Sequence, residues 1–165
     1  MDAYRAIISK RDTRHYTNDP IPDDQLTRIL QAGRMAGSSK NSQPVRMVVM
    51  RDPSAREALA SCGDYSQPIL ESKLSIAIVL APGGSGLDAG RAAQNLMVAA
   101  WAEGIASCPV SLHRPESAST TLALPPEHTV AIVVALGFPD TKYPLSGGRQ
   151  RLPLDELVKW DRWSD

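Results

Sequence analysis

The sequence predicts an α+β domain in which a single sheet of about four to five strands is covered by helices on both faces. Helical periodicity dominates the N-terminal part, and short apolar runs such as VRMVVM, LSIAIVL and VAIVVAL alternate with helical segments after it. The chain has 165 residues, and a single domain usually has about 100–200. We therefore expect residues 1–165 to form one domain.

The first two elements are predicted to be helices. Residues 2–10 place Tyr4, Ile7 and Ile8 on one side of a short helix. A turn-rich break at residues 18–22 follows, and Asp23 then opens a second helix. That helix places apolar or small residues at helical spacing and is expected to stop at Gly37-Ser38-Ser39: Leu26, Ile29, Leu30 and Gly33.

The remainder alternates between strands and helices. Strands are predicted at residues 45–50, 74–80, 106–112 and 130–136. Helices are predicted at residues 53–61, 87–103, 116–122 and 154–160, with Gly104 capping the longest. That longest helix is rich in alanine and glycine, which permits close packing against another helix either in the core or across a dimer contact.

Composition excludes several classes of function. Lys plus Arg and Asp plus Glu number 18 each, so the chain lacks the basic field of a nucleic-acid-binding protein. Two cysteines and three histidines are scattered and form no metal-ligand spacing. There is no signal pattern and no apolar run of about 20 residues. We expect a cytoplasmic protein with no metal, nucleic-acid or membrane partner.

Two basic segments are candidates for binding an anion. Residues 10–14 (KRDTR) contain three cations, and Arg149-Gln150-Arg151 stands before the last helix. A guanidinium can donate hydrogen bonds to two phosphate oxygens at once. Each segment alone is more typical of a solvated basic turn, but convergence of the two on one phosphate would give both a function.

The loop at residues 37–44 (GSSKNSQP) is the third unusual segment. It is dense in hydrogen-bonding groups and has no bulky residue. Such a loop can lie against a flat polar heterocycle, donating from its backbone and from the Asn41 amide. The alternative interpretation is an ordinary helix-to-strand turn.

Taken in order, these segments resemble the motifs of the nitroreductase family of FMN-dependent oxidoreductases along essentially the whole chain. The matching stretches are KRDTRHY at 10–16, AGSSKNSQPV at 36–45, DAGRAAQNL at 88–96, EGIAS at 103–107, ALGFP at 135–139 and RQRLPL at 149–154. The resemblance implies a three-layer α-β-α sandwich around a mixed, mostly antiparallel sheet. It also implies a homodimer with FMN at the subunit interface and NAD(P)H as co-substrate.

The resemblance also assigns roles to residues. The FMN phosphate and ribityl oxygens would be held by Lys10, Arg11, Arg14, Arg149 and Arg151. Asp12 stands where many members have serine, and would make a weaker contact or orient the arginines. Ser38, Ser39 and Asn41 would border the isoalloxazine from the partner subunit. The stretch at 107–110 would lie near the flavin face, where a backbone N–H could serve N5.

The chemistry implied by the resemblance is hydride transfer from NAD(P)H to flavin N5, followed by reduction of a nitroaromatic, quinone or related small acceptor. This is a ping-pong mechanism with no catalytic side-chain acid, in which Arg14 could stabilise negative charge near N1 and O2. Two alternatives remain open. One is other flavin chemistry on the same fold: flavin cleavage, dehalogenation or dehydrogenation. The other is a non-catalytic flavin-binding or partner subunit.

Three departures from the family pattern bear on these alternatives. Gly37 replaces a proline and Val45 replaces a common tryptophan, which makes the loop looser and less aromatic. The chain is also short, and the helical insertion that many members carry over the active site is expected to be reduced or absent. The physiological acceptor and the preference between NADH and NADPH are left open.

Overall fold

The computed structural model describes residues 1–143 and 151–163. Within these ranges the helices are α1 Ala3–Ser9, α2 Asp23–Arg34, α3 Pro53–Ala60, α4 Gln67–Glu71, α5 Gly86–Ala102, α6 Pro115–Thr121 and α7 Leu154–Leu157. The strands are β1 Val45–Met50, β2 Leu74–Leu80, β3 Ala106–Val110 and β4 Thr129–Gly137. A short 3-10 helix, Ser39–Asn41, lies between α2 and β1.

The four strands form one sheet in the order β1-β2-β4-β3, and every ladder is antiparallel. In the described part of the chain the single parallel pairing is an isolated bridge between Asp12 and Ser107. β2 is one of the two inner strands and is buried along nearly its whole length, as its mostly apolar sequence predicts. The predicted mostly antiparallel sheet is therefore confirmed.

Side chains alternate between the two faces of the sheet and meet a different helical layer on each. Ile76, Ile78 and Val134 join the cluster that contains the buried faces of α2 and α5. Ala77 and Val133 join the second cluster, which contains buried residues of α3, α4 and α6. The period of two along each strand thus produces two cores. The result is the expected three-layer sandwich.

Close packing between α2 and α5 depends on Gly33. A Cβ atom at Gly33 would lie 2.7 Å from Cδ2 of Leu96, so the glycine makes room for a fully buried leucine. The Asn95 amide donates to the carbonyl oxygen of Ala32 at 3.1 Å and fixes the same crossing. The small residues of α5 therefore include a core-packing face: Ala89, Ala92, Ala93 and Ala100 are buried.

Three predicted ends are wrong by two residues or more, the other predicted bounds agree to within one residue, and one α-helix was missed. β3 stops at Val110 rather than at residue 112, because the backbone N–H groups of His113 and Arg114 donate to the Cys62 carbonyl and draw the chain away from β4. α7 stops at Leu157 rather than at residue 160, and its exposed turn gains no packing. α2 ends at Arg34, before the predicted stop. The missed helix, α4, has only five residues, too few for periodicity to reveal.

No helix in residues 1–143 or 151–163 combines the length and apolar character that crossing a bilayer requires. The C-terminal segment, defined here as residues 151–163, exposes a series of large apolar side chains: Leu152, Leu154, Leu157, Trp160 and Trp163. Tyr4, Ile7 and Ile8 of α1 are exposed as well. Scattered exposed apolar residues are common, but groups of them mark contact surfaces.

Acid is expected to destabilise the fold between pH 5 and pH 3. Hydrogen bonds from Arg28 lower the pKa of Glu103, one from Arg114 lowers that of Asp64, and one from Ser85 lowers that of Asp88. A carboxyl whose pKa is lower in the folded state stabilises the fold above its unfolded pKa, about 4. That contribution is lost as pH falls through the folded pKa.

Thermal unfolding across this pH range would test the expectation, with Glu103→Gln as the comparison. The variant should be less stable at pH 6 and should show a shallower decline toward pH 3. A melting temperature that stays constant or rises as pH falls from 5 to 3 would contradict the assignment.

Candidate functional site

The first part of the candidate site is the basic turn, defined as residues 10–14. It follows α1 directly, and its backbone is fixed against the start of β3. The Thr13 N–H donates to the Ser107 carbonyl oxygen at 2.9 Å, next to the bridge between Asp12 and Ser107. The sheet therefore holds the turn in one register, although the turn itself belongs to no helix or strand.

The cations of the basic turn have different surroundings. Lys10 is mostly buried; its ammonium pairs with the Asp12 carboxylate and lies 3.5 Å from Sδ of Met97. Arg11 donates from Nη1 to the carbonyl oxygens of Ile8 at 3.1 Å and Lys10 at 2.9 Å. Arg14 is exposed, and no hydrogen bond or ion pair joins its guanidinium to another residue in the described ranges. Arg14 is thus the cation most available to a ligand.

Two titratable groups beside the turn stay neutral at physiological pH. Burial raises the pKa of the Tyr16 phenol far above its ordinary value, and the hydroxyl donates to the Thr13 carbonyl at 2.5 Å. Burial also raises the pKa of the Cys108 thiol, with Arg14 acting in the opposite direction. Neither group therefore adds a charge beside the basic turn.

The second part is the polar loop, defined as residues 37–44. Lys40, Asn41 and Gln43 have positive φ angles of 51°, 55° and 49°, a left-handed conformation that is uncommon outside glycine. The Ser38 hydroxyl accepts a hydrogen bond from the Gln43 N–H at 2.8 Å and closes the loop. Asn41 and Ser39 are exposed. Such strain is typical of ligand-binding loops.

Gly37 brings the polar loop against α5. A Cβ atom there would lie 2.7 Å from a guanidinium nitrogen of Arg91. An open groove of about 450 Å³ runs along this contact, lined by Met35, Gly37, Leu87, Gly90, Arg91 and Asn95 among others. Arg91 is a candidate site residue that was not predicted from the sequence, where its one signal is its place in the matched stretch at 88–96.

The basic turn and the polar loop contact α5 at different positions along its axis. The loop meets it at Arg91, whereas Lys10 reaches it at Met97 and the Trp101 indole donates to the Ser9 hydroxyl at 2.9 Å. Six residues separate Arg91 from Met97, about 9 Å along the axis. Among the described residues no hydrogen bond or ion pair joins the two parts. The structure therefore brings together Lys10, Asp12 and Arg14, and separately Ser38, Ser39 and Asn41.

The predicted second basic segment is only partly described. Arg149 lies outside the described residues. Arg151 begins the C-terminal segment and is exposed. Convergence of the two ends of the chain on one phosphate stays a prediction.

Comparison with known proteins identifies the family. The chain matches the model of the nitroreductase family over residues 7–74 and 82–138. It is an α-β-α protein of the nitroreductase fold, and it belongs to the nitroreductase family. The Lys10-to-Tyr16 stretch, the polar loop and α5 all lie within the matched ranges.

Individual relatives extend the similarity over nearly the whole chain. An NADH dehydrogenase of Thermus thermophilus is 28% identical over 201 aligned positions, covering 97% of this chain and 96% of the relative. The crystal structure of a Desulfovibrio desulfuricans protein described as a nitroreductase, in complex with FMN, has a TM-score of 0.87 at 27% identity and covers 99% of both chains. A 5,6-dimethylbenzimidazole synthase of Rhodospirillum rubrum is 40% identical over 47 residues, or 28% of this chain and 22% of the relative.

The first of these alignments is longer than the chain itself. It spans 201 positions, whereas the chain has 165 residues. The Thermus relative therefore contains segments without a counterpart here. The FMN-bound Desulfovibrio protein, in contrast, is matched over 99% of both chains.

Proposed function

We propose that this protein is an FMN-dependent oxidoreductase that takes a hydride from NADH or NADPH and reduces small organic acceptors such as nitroaromatics and quinones. The observation that carries the proposal is the exposed Arg14 without a partner in the described part of the chain, held by β3 beside Lys10 in a member of the nitroreductase family. The FMN-bound neighbour at 27% identity supports the cofactor, and the relative named NADH dehydrogenase supports the donor.

The residues of the basic turn suit the phosphate end of FMN. Arg14 offers an unused guanidinium, and Arg11 has nitrogens left after Nη1 is engaged. Lys10 is paired with Asp12. Its ammonium would therefore contact the phosphate only where the phosphate competes with the Asp12 carboxylate. Asp12 thus orients a cation and does not itself contact the phosphate in this proposal. Arg149 and Arg151 would complete the set.

The polar loop suits the ring end. Ser39 and Asn41 are exposed, and Ser38 holds the loop closed through Gln43. A flat heterocycle needs donors and acceptors at its edge with no bulky side chain in the way, and Gly37 keeps the approach open beside Arg91. Val45, in place of an aromatic residue, is partly buried and leaves the ring surface less covered.

When bound, FMN would supply the hydride chemistry, and the protein would supply position and electrostatics. Arg14 is also the candidate to offset the negative charge that the isoalloxazine gains on reduction. Tyr16 is partly buried, Cys108 is buried, and both are neutral, so neither serves as an acid at the exposed face. Donor and acceptor would then occupy one face in turn, which is the basis of the proposed ping-pong order.

A homodimer is part of the proposal, because within one chain the basic turn and the polar loop contact different positions along α5. The exposed apolar side chains of α1 and of the C-terminal segment provide a surface that a second copy could cover. The proposal assigns the basic turn of one subunit and the polar loop of its partner to each flavin. A cytoplasmic setting, with reduced nicotinamide nucleotides at hand, completes it.

Spectroscopy of the purified protein tests the function directly. With FMN added and excess removed, the protein should absorb at about 450 nm, a property of the oxidised cofactor. NADH or NADPH should bleach this band without oxygen, and a nitroaromatic or quinone should restore it.

Initial rates should give parallel double-reciprocal lines, and light scattering should give the mass of a dimer. A colourless protein after reconstitution would refute the proposal.

A second candidate function is cleavage of the flavin itself. The local 40% identity to a 5,6-dimethylbenzimidazole synthase favours it, because the dimethyl-substituted ring of that product also forms one edge of the isoalloxazine. The KRDTR stretch is similar to that branch of the family.

Product analysis after reduction under air separates the two functions: loss of flavin with release of a benzimidazole would favour cleavage, and intact flavin would favour the oxidoreductase. Bound flavin that NAD(P)H cannot reduce would indicate the non-catalytic role.

A further inference from the structure

A second cationic cleft lies apart from the residues assigned to the flavin. It lies where β1 ends, α3 begins and β2 begins, and its volume is about 270 Å³. This is slightly below the volume of about 300–1,000 Å³ that is usual for small-molecule sites, so the cleft suits only a compact ligand. Its lining includes three cations and one amide: Arg51, Arg56, Lys73 and Asn18.

Arg56 is the most unusual of these residues. It is only 6% exposed, and charged side chains are almost never buried without a partner. Its Nη1 donates to the carbonyl oxygens of Arg51 at 3.0 Å and Lys73 at 3.3 Å, but its buried Nε has no acceptor in the described structure. Burial lowers the pKa of this guanidinium, with Asp52 acting in the opposite direction.

Carboxylates do not neutralise the cleft. Arg51 pairs with Asp23, but no ion pair reaches Arg56 or Lys73 from residues 1–143 or 151–163. The Asp52 carboxylate is engaged locally, where it caps α3 by accepting from Ser54 and from the Ala55 N–H. Arg56 and Lys73 therefore border one cleft without an ion pair to any described residue, and the Asp52 charge that acts on Arg56 is already engaged at the start of α3.

We propose that this cleft binds the phosphate group of a small phosphorylated compound. A partly buried pair of a guanidinium and an ammonium suits a dianion, because charge-assisted hydrogen bonds form to several oxygens at once. The exposed Asn18 amide adds a neutral donor at the rim. The cleft does not depend on the flavin, since it shares no lining residue with the basic turn or the polar loop.

The test uses the full chain saturated with FMN, so that the proposed flavin site is filled before the probe is added. Inorganic phosphate and glycerol 3-phosphate are titrated while the side-chain N–H signals of arginine are followed by NMR, and calorimetry gives the affinity. The Arg56 Nε–H signal should shift in a saturable way. Lys73→Gln should weaken binding about tenfold or more, as expected for loss of one charge-assisted contact.

The control is Lys142→Gln, which removes an exposed lysine outside the cleft and should leave phosphate affinity unchanged. Arg56→Gln is a poorer test, because Arg56 also ties two backbone carbonyls and its loss could unfold the chain. Equal phosphate affinity in Lys73→Gln and the parent, or an Arg56 signal that never moves, would overturn the proposal. If FMN does not bind, the phosphate affinities of the parent and of Lys73→Gln are compared in the same way. Failure of the proposed function is therefore distinguishable from failure of this proposal.

Discussion

Replacing Leu96 with alanine should lower the free energy of unfolding by about 2–5 kcal/mol. Leu96 is fully buried in the cluster between the sheet, α2 and α5. The site cannot easily collapse around a smaller residue, because α2 is held to α5 on both sides of it. Asn95 donates to Ala32, and Arg28 pairs with Glu103 at 2.8 Å. A cavity should therefore remain after the change.

Chemical denaturation at a fixed protomer concentration measures this effect, since association would otherwise shift the apparent stability. Leu70→Ala is the matched control: it removes the same atoms from a side chain that is 44% exposed on α4. The control should cost much less than Leu96→Ala. Equal losses in the two variants would show that the crossing of α2 and α5 does not carry the stability assigned to it.

The bounds of β1 and β2 could be predicted from sequence because each is a mostly apolar run, interrupted only by Arg46 in β1 and by Ser75 in β2. The start of α2 at Asp23 and the left-handed Gly104, with φ of 79°, after α5 were equally visible. Elements whose ends depend on tertiary contacts were not. β3 ends because the Cys62 carbonyl oxygen accepts hydrogen bonds from the backbone N–H groups of His113 and Arg114, which no local pattern reveals.

The candidate site was predictable as a set of segments but not as a set of contacts. The sequence shows three cations in five residues, yet only the structure shows that Lys10 is paired with Asp12 while Arg14 is exposed. Gly37 could be recognised as a departure, but its reason, the approach of Arg91, depends on the packing of α5. Arg56 carries no motif at all. Its interest comes from burial, which is a property of the fold.

If each flavin site is shared between subunits, two defective variants should complement each other. Arg14→Ala removes the cation of the basic turn, and should weaken FMN binding about 10- to 100-fold, as for loss of a charge-assisted contact. A second variant combines Ser39→Ala with Asn41→Gly, which removes two polar groups from the loop. Glycine retains the left-handed backbone, φ 55°, that Asn41 adopts.

Co-expression with two different tags allows the mixed dimer to be purified and its FMN content measured. When the turn of one subunit faces the loop of its partner, one site of the mixed dimer receives both defects and the other receives none. We therefore expect one FMN per mixed dimer with the parent affinity, whereas each pure variant binds weakly. Arg114→Ala, an exposed arginine at the start of α6, controls for loss of charge. A mixed dimer as weak as its two parents would mean that turn and loop serve the same flavin within one chain.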